Sequence, residues 1–243
     1  MDTKIVKICG LKSVDVAQTA VDVGSNLLGV IVVPGRARTV DPEVAIKISQ
    51  LCQQRRQKLH REYQSSIELL RKANECELEG AAWFENCCRL IVENGPFFVG
   101  VFRNQPLQEV IDTSHKLGLD FVQLHGSEDV DEYVTHIELP VIPRFVLQRD
   151  NIGLAVKTHR HILPLLDSER GGEGKLINWK DAERFYSEMD GRFLLAGGLT
   201  PENVALALKV KGCVGVDVSG GVETEGKKDK GKVERFLKNA RTT

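Results

Sequence analysis

The chain of 243 residues lacks the features that mark several other classes of protein. No apolar run approaches the roughly 18–20 residues of a membrane span, and no signal-peptide pattern stands at the start. The net charge of −1 argues against a nucleic-acid footprint or a polybasic membrane patch. The dinucleotide fingerprint Gly-x-Gly-x-x-Gly is also absent. These absences predict a soluble cytoplasmic protein that binds neither nucleic acid nor membrane.

The six cysteines are spaced in a way that excludes the common metal motifs. They lie at positions 9, 52, 76, 87, 88 and 213, with no C-x-x-C pair and no histidine at zinc-finger spacing. Without a secretory signal, we expect them to be reduced thiols. The sequence therefore predicts neither a disulfide framework nor a metal site, and each cysteine is either a small buried hydrophobe or a reactive thiol.

Short apolar runs alternate with longer amphipathic stretches along the chain. The strand-like runs are 5–9, 27–33, 97–102, 121–124, 141–146, 162–167, 193–196 and 214–218. The helical patterns are 13–23, 41–54, 105–117, 127–138, 148–158, 178–189, 200–210 and 228–240. Some helices carry start signals, such as Asp41-Pro42 and Thr200-Pro201.

This alternation predicts an α/β fold, a (β/α)8 TIM barrel that forms a single domain over residues 1–243. Eight strands interleaved with eight helices are the number that a closed barrel requires. A doubly wound open sheet is the alternative, and the missing dinucleotide fingerprint argues against it.

A segment of about forty residues, 55–95, interrupts this rhythm between the second helix and the third strand. Its first half places four apolar residues on one helical stripe, Leu59, Tyr63, Ile67 and Leu70. A second helix is predicted through "GAAWFENCCRLIVE". Because the insertion follows a helix and precedes a strand, we expect it on the face opposite to the active site. It is either a helical hairpin packed beneath the barrel or a docking surface that uses Trp83, Phe84 and the Cys87-Cys88 pair.

Polar side chains stand at the carboxyl ends of several predicted strands, where the active sites of such barrels lie. Strand residues alternate between the barrel interior and the helix layer. This alternation sends four polar side chains to the interior, those of Cys9, His125, Asp167 and Asp217. Because a purely structural core avoids burying such groups, the sequence predicts an active site at this end of the barrel.

Two further features suggest sites for anions. Glycine pairs follow the last two strands, in "LLAGGLTPENV" and "VDVSGGVE". Glycines let backbone N–H groups approach a phosphate, and barrels of this kind commonly bind one after strands seven and eight. In "VVPGRART", Arg36 and Arg38 are either solvated loop charges or a clamp on a carboxylate. The residues alone leave both interpretations of the arginines open.

Seven motifs, in order and at the expected strand ends, resemble one enzyme family. They are "KICGL", "VVPGRART.DP", "VGVFRN", "VQLHG", "LLDSE.GG.G", "LAGGLTPENV" and "GVDVSGGVE". Together they resemble phosphoribosylanthranilate isomerase of tryptophan biosynthesis, particularly the monofunctional yeast-type enzyme. The resemblance covers nearly the whole chain except about 55–95.

The resemblance implies an Amadori rearrangement of N-(5-phosphoribosyl)anthranilate, without a cofactor. It implies that Cys9 is the general base, that Asp167 is the general acid, and that Arg38 holds the anthranilate carboxylate. It also implies a phosphate bound by backbone around four residues, Gly197, Gly198, Ser219 and Gly220. We expect His125 and Asp217 to line the same substrate pocket.

This chemistry sets requirements on two pKa values. Asp167 has to hold a proton near neutrality, so its pKa has to rise from a reference of about 3.9. The Cys9 thiol pKa has to fall from about 8.5 toward working pH, and Lys7 on the same strand face is the candidate for lowering it.

Two other functions remain as alternatives. One is a different phosphosugar-converting barrel enzyme of the epimerase class, which generally needs histidine metal ligands that His125 alone does not supply. The other is a non-catalytic barrel that binds a phosphorylated metabolite and docks a partner through segment 55–95. We expect the protein to bind a phosphorylated small-molecule substrate and to act as a monomer.

Overall fold

Eight parallel strands close into one barrel in sequence order, in a computed structural model that describes residues 4–168 and 177–242. The strands are β1 (Ile5–Ile8), β2 (Leu27–Ile31), β3 (Phe97–Phe102), β4 (Phe121–Leu124), β5 (Val141–Phe145), β6 (Leu165–Leu166), β7 (Phe193–Leu195) and β8 (Cys213–Val218). The last strand pairs with the first, so no edge is left open. The predicted (β/α)8 barrel is thereby confirmed.

The helices surround the barrel. They are α1 (Val14–Asp22), α2 (Pro42–Lys58), α3 (Ser66–Glu75), α4 (Gly80–Asn94), α5 (Leu107–Leu117), α6 (Val130–His136), α7 (Trp179–Met189), α8 (Val204–Ala207) and α9 (Lys230–Arg241). The Asp41 side chain accepts hydrogen bonds from the N–H groups of Glu43 and Val44 and so caps α2. Within the described ranges, no helix is both long and apolar enough to cross a bilayer.

Several elements are shorter than the sequence pattern predicts, including α8, which has only four residues. The fifth helical pattern forms a 3-10 helix, Asp150–Val156. The sixth strand is reduced to two residues, although Ile162 and Asp167 still donate backbone hydrogen bonds to the fifth strand. Pro164 has no N–H and cannot donate to the ladder, which shortens the regular part of the strand.

Alternation along the strands separates two buried layers, as the sequence predicts. One layer fills the barrel and includes Ile5, Leu27, Phe97, Phe121, Leu165 and Leu194. The other faces the helices and includes Val6, Ile8, Val122, Leu124, Leu166 and Val216. Val214 is an exception, because a register irregularity beside Phe193 and Leu194 places it with the inner layer instead of the helix layer.

The segment between α2 and β3 contributes to the core. Trp83, Phe84, Cys87 and Cys88 on α4 are buried and belong to the same apolar cluster as the barrel interior. The Cys88 thiol donates a hydrogen bond of 3.2 Å to the carbonyl of Val214 at the start of β8. The docking interpretation required these side chains to be exposed, whereas all four are buried.

The stripe predicted through the first half of this segment is wrong. The chain leaves α2 after Lys58 and begins α3 at Ser66, so no single helix carries the stripe. Ser65 and Glu68 form a capping box that fixes the new start. Leu59 is 39 % exposed, because it lies in the turn between the two helices.

Candidate active site

One cavity of about 490 Å³ opens at the carboxyl ends of the strands. It is lined by all nine residues that the sequence analysis assigned to the site, Cys9, Arg38, His125, Asp167, Gly197, Gly198, Asp217, Ser219 and Gly220. They come from the ends of six different strands, which only the closed barrel brings to one rim. In the motif "LLDSE.GG.G", Glu169 and the three glycines lie outside the described residues.

Cys9 follows β1 and lies beside a buried ion pair. Lys7 Nζ lies 3.0 Å from Asp217 Oδ1, and the Lys7 side chain is fully buried. A Cβ atom on Gly29 would lie 2.8 Å from Cys9 Sγ and 3.0 Å from Lys7 Nζ. Glycine at position 29 therefore provides the space that the thiol and the ammonium group occupy together.

The surroundings of Cys9 raise the pKa of its thiol above the ordinary value. Burial is the main cause, and the Asp217 carboxylate adds to it. Lys7 lowers the thiol pKa, as expected, but its effect is smaller than that of burial. The expectation of a net fall is therefore wrong for the free protein, in which the thiol is protonated at neutral pH.

Asp167 is held by three groups at the end of β6. His125 Nε2 lies 3.1 Å from Asp167 Oδ2, and the N–H of Ser168 donates to Oδ1 at 2.7 Å. Arg144 Nε lies 3.8 Å from Oδ2. Burial would raise the pKa of Asp167, but the hydrogen bond and charge of His125, with the other two groups, lower it overall. The expected rise is wrong, and the resting carboxylate is ionised.

Arg38 is bonded to a residue that the sequence analysis did not single out. Its Nε and Nη2 donate to the two carboxylate oxygens of Glu223 at 2.8 Å and 2.9 Å. Glu223 begins a two-stranded hairpin, β9 (Glu223–Thr224) and β10 (Lys227–Lys228), that follows β8. The glutamate is the last residue of "VDVSGGVE". A charged residue in a loop already identified as an anion site is the feature of the sequence from which Glu223 could have been predicted.

Two glycine loops meet at the rim of the cavity, and the second lies next to Arg38, whose Nη2 is 3.3 Å from the position of a Cβ atom on Gly220. Gly197 and Gly198 have φ values of +86° and +62°, in the left-handed region that favours glycine. A Cβ atom on Gly221 would lie 1.8 Å from the carbonyl oxygen of Leu199. The loops after β7 and β8 can pack this closely only because glycine occupies position 221.

Comparison with known proteins identifies the family. The family model described as N-(5'phosphoribosyl)anthranilate (PRA) isomerase matches residues 72–239, more than half of the chain. The chain belongs to this family. A phosphoribosylanthranilate isomerase of Komagataella pastoris is 50% identical over 240 residues, covering 97% of this chain and 99% of that protein.

Solved structures of the phosphoribosylanthranilate isomerase family agree with this assignment. The enzyme from Thermus thermophilus superposes with a TM-score of 0.71 at 26% identity, over 98% of both chains. A second family structure, in complex with reduced 1-(o-carboxyphenylamino)-1-deoxyribulose 5-phosphate, superposes with a TM-score of 0.68 at 25% identity, over 99% of this chain and 100% of that one.

The arrangement offers three kinds of chemistry in one enclosed space. A thiol and a carboxylate–imidazole pair can exchange protons with a ligand. An arginine can bind a carboxylate. Two glycine-rich loops can receive a phosphate on backbone N–H groups. These groups were predicted from the sequence, but the partners that hold them were not: Arg144 beside Asp167, and Glu223 with Lys228 beside Arg38.

Proposed function

We propose that this protein catalyses the Amadori rearrangement of N-(5-phosphoribosyl)anthranilate to 1-(2-carboxyphenylamino)-1-deoxyribulose 5-phosphate. Cys9 is the general base and Asp167 the general acid. The observation that carries the proposal is the single cavity that both side chains line together with Arg38 and the glycine loops. The family match over residues 72–239 supports the same reaction.

The reaction needs a proton at one end of the aminoribose and a base at the other. Asp167 gives a proton to the ring oxygen, the bond from that oxygen to C1′ breaks, and a Schiff base forms between C1′ and the anthranilate nitrogen. Cys9 then removes the proton from C2′, which the Schiff base has made acidic. The resulting enolamine takes a proton at C1′, loses the one on its C2′ hydroxyl, and becomes the ketone, so atoms and charge balance.

The substrate-binding groups hold the two anionic ends of this molecule apart. Arg38 binds the carboxylate of the anthranilate ring through its planar guanidinium. The backbone around Gly197, Gly198, Ser219 and Gly220 binds the phosphate, in the place that barrels of this kind commonly use. The two ends fix the sugar between the Cys9 thiol and the Asp167 carboxylate.

The protonation states at rest are the reverse of those that the reaction uses. The free protein holds Cys9 as thiol and Asp167 as carboxylate, because the thiol pKa is raised and the carboxyl pKa is lowered. The working form, with a thiolate and a carboxylic acid, has the same total charge and differs only in where one proton lies. The proton that leaves the Cys9 thiol is the one that Asp167 gains, so His125, with Nε2 3.1 Å from Asp167 Oδ2, keeps its own number of protons over the exchange.

The test follows the fluorescence of phosphoribosylanthranilate during turnover by the purified protein and by Cys9→Ala and Asp167→Asn variants. Turnover by the wild type, lost by several orders of magnitude in both variants, is the expected result. Binding of the reduced product by the variants, measured by calorimetry, separates lost chemistry from a lost site. A wild type without turnover would overturn the proposed substrate. Activity that requires a divalent metal, tested with a chelator, would favour an epimerase-type enzyme instead.

A further inference from the structure

The hairpin that follows β8 brings two charged side chains to Arg38. Glu223 on β9 accepts two hydrogen bonds from Arg38, at 2.8 Å and 2.9 Å. Lys228 on β10 donates to Glu223 Oε1 at 2.7 Å. Both hairpin side chains are nearly buried, at 10% exposure for Glu223 and 6% for Lys228. Neither residue takes part in the proton transfers proposed above.

The bond pattern determines which edge of Arg38 is left for a ligand. The guanidinium presents a side edge, made by Nε and Nη2, and an end edge, made by Nη1 and Nη2. Glu223 occupies the side edge, and within residues 4–168 and 177–242 no hydrogen bond uses Nη1. The Arg38 side chain is 31% exposed and lines the cavity. The end edge can therefore bind a second carboxylate through two hydrogen bonds.

Lys228 holds Glu223 in place from the other side. Its ammonium group also donates to the backbone carbonyl of Ser219 at 2.8 Å and to the Ser219 hydroxyl at 3.3 Å. Ser219 stands in the loop assigned above to the phosphate, so the lysine ties this loop to the glutamate. Two cations around one carboxylate leave a net positive charge beside the cavity, which favours an anionic ligand.

We propose that Glu223, held by Lys228, is a positioning residue that fixes the Arg38 guanidinium for the carboxylate of the substrate. This inference rests on the proposed function, because it assigns that carboxylate to the anthranilate ring. Bidentate bonding to Glu223 restricts the long arginine side chain before the substrate arrives, which lowers the entropy lost on binding. The opposite role, in which Glu223 competes with the substrate for Arg38, predicts the opposite change in affinity.

The test measures affinity for two compounds by calorimetry, the reduced product and the same compound without its ring carboxylate. Glu223→Gln keeps the side-chain volume and removes the charge. We expect it to bind the carboxylate compound about tenfold more weakly, which is the size of a lost charge-assisted hydrogen bond. Its affinity for the other compound should not change. In turnover, KM should rise while kcat stays near the wild-type value.

Three further variants make the result specific. In an Arg38→Met background, Glu223→Gln should cause no additional loss, because the two residues act as one unit. Lys228→Met removes the second bond that holds Glu223, and it also removes two bonds to Ser219 in the phosphate loop. It should therefore weaken binding of both compounds, but binding of the carboxylate compound more, and it provides an independent test if Glu223→Gln folds poorly. Glu225→Gln is the matched control, since Glu225 lies in the same hairpin but is exposed.

Each other outcome overturns the positioning role. Unchanged affinity would show that Arg38 needs no partner, and tighter binding would make Glu223 a competitor. An equal loss for both compounds would indicate general damage to the site. A wild type that binds neither compound would overturn the proposed function as well, whereas a wild type that binds both, matched by Glu223→Gln, would overturn this inference alone.

Discussion

Lys7 and Asp217 are direct neighbours across the seam that closes the barrel, where β1 pairs with β8. Their side chains form an ion pair of 3.0 Å inside the barrel, with Lys7 fully buried. Burial alone would lower the pKa of Lys7, but Asp217 and Cys9 outweigh it and raise the pKa overall. The lysine is therefore a permanent cation beside the Cys9 thiol, and its charge is balanced by Asp217.

The first prediction concerns the stability of this pair. Lys7→Met should lower the free energy of unfolding by about 3 kcal/mol, because it leaves the Asp217 carboxylate without a partner in a nearly dry site. The double variant Lys7→Met/Asp217→Asn should lose less, since no uncompensated charge remains. Urea denaturation of the three proteins measures both values. A double variant less stable than Lys7→Met would show that Asp217 is not the group left unpaired.

The second prediction separates thiolate formation from turnover. Alkylation of Cys9 by iodoacetamide should be slow at about pH 7 and should rise with a midpoint above about 9, because burial raises the thiol pKa. The quantity kcat/KM should not rise over the same range, since every thiolate gained in this way leaves Asp167 ionised and unable to act as the acid.

Peptide-resolved mass spectrometry in a Cys76→Ser background follows this alkylation, because Cys76 is the most exposed of the six free cysteines. A kcat/KM that increases in parallel with alkylation would contradict the shared proton and leave thiolate formation as the limiting step.

The third prediction follows from the lowered pKa of Asp167. The folded pKa lies below the ordinary value of about 3.8, so ionised Asp167 favours the folded state. This contribution is complete above the ordinary value and is lost as pH falls through the lower folded pKa. The stability advantage of the wild type over Asp167→Asn should therefore stay constant down to about pH 5 and shrink as the pH falls further, measured by chemical denaturation. If the stability advantage of the wild type grew as the pH fell, the pKa of Asp167 would be raised in the folded protein and not lowered.

The fourth prediction tests the role of α4 in the core. Trp83→Ala should lower the free energy of unfolding by about 3–5 kcal/mol, because it leaves a large cavity beneath the barrel. Leu59→Ala is the matched control in the same segment, and its effect should stay within about 0.5 kcal/mol because Leu59 is exposed. A Trp83→Ala variant as stable as the control would return the segment to the role of an appended surface.

The sequence was informative wherever a short-range rule decides the structure. Alternation with a period of two placed Cys9, His125, Asp167 and Asp217 in the barrel interior, and the structure has them around one cavity. The same rule failed at Val214, because a local irregularity in strand pairing is not visible as a pattern of residue types.

Charge states could not be predicted in the same way. The acid–base chemistry expected from the sequence requires a raised pKa at Asp167 and a lowered pKa at Cys9, and both shifts run in the opposite direction. The reason is that each pKa depends on burial and on charges from distant parts of the chain, such as His125, which lies 42 residues from Asp167. Residue types and spacing contain neither the depth of burial nor these distances.

The sequence by itself determined the barrel, the end that carries the chemistry and the side chains that point into it, because strand periodicity and glycine placement act locally. Only the tertiary structure decided what holds those side chains. Arg38 meets Glu223 across 185 residues of chain, and α4 closes the floor of the barrel instead of presenting a surface. Such contacts depend on how the closed barrel brings distant segments together, which is a property of the folded chain as a whole.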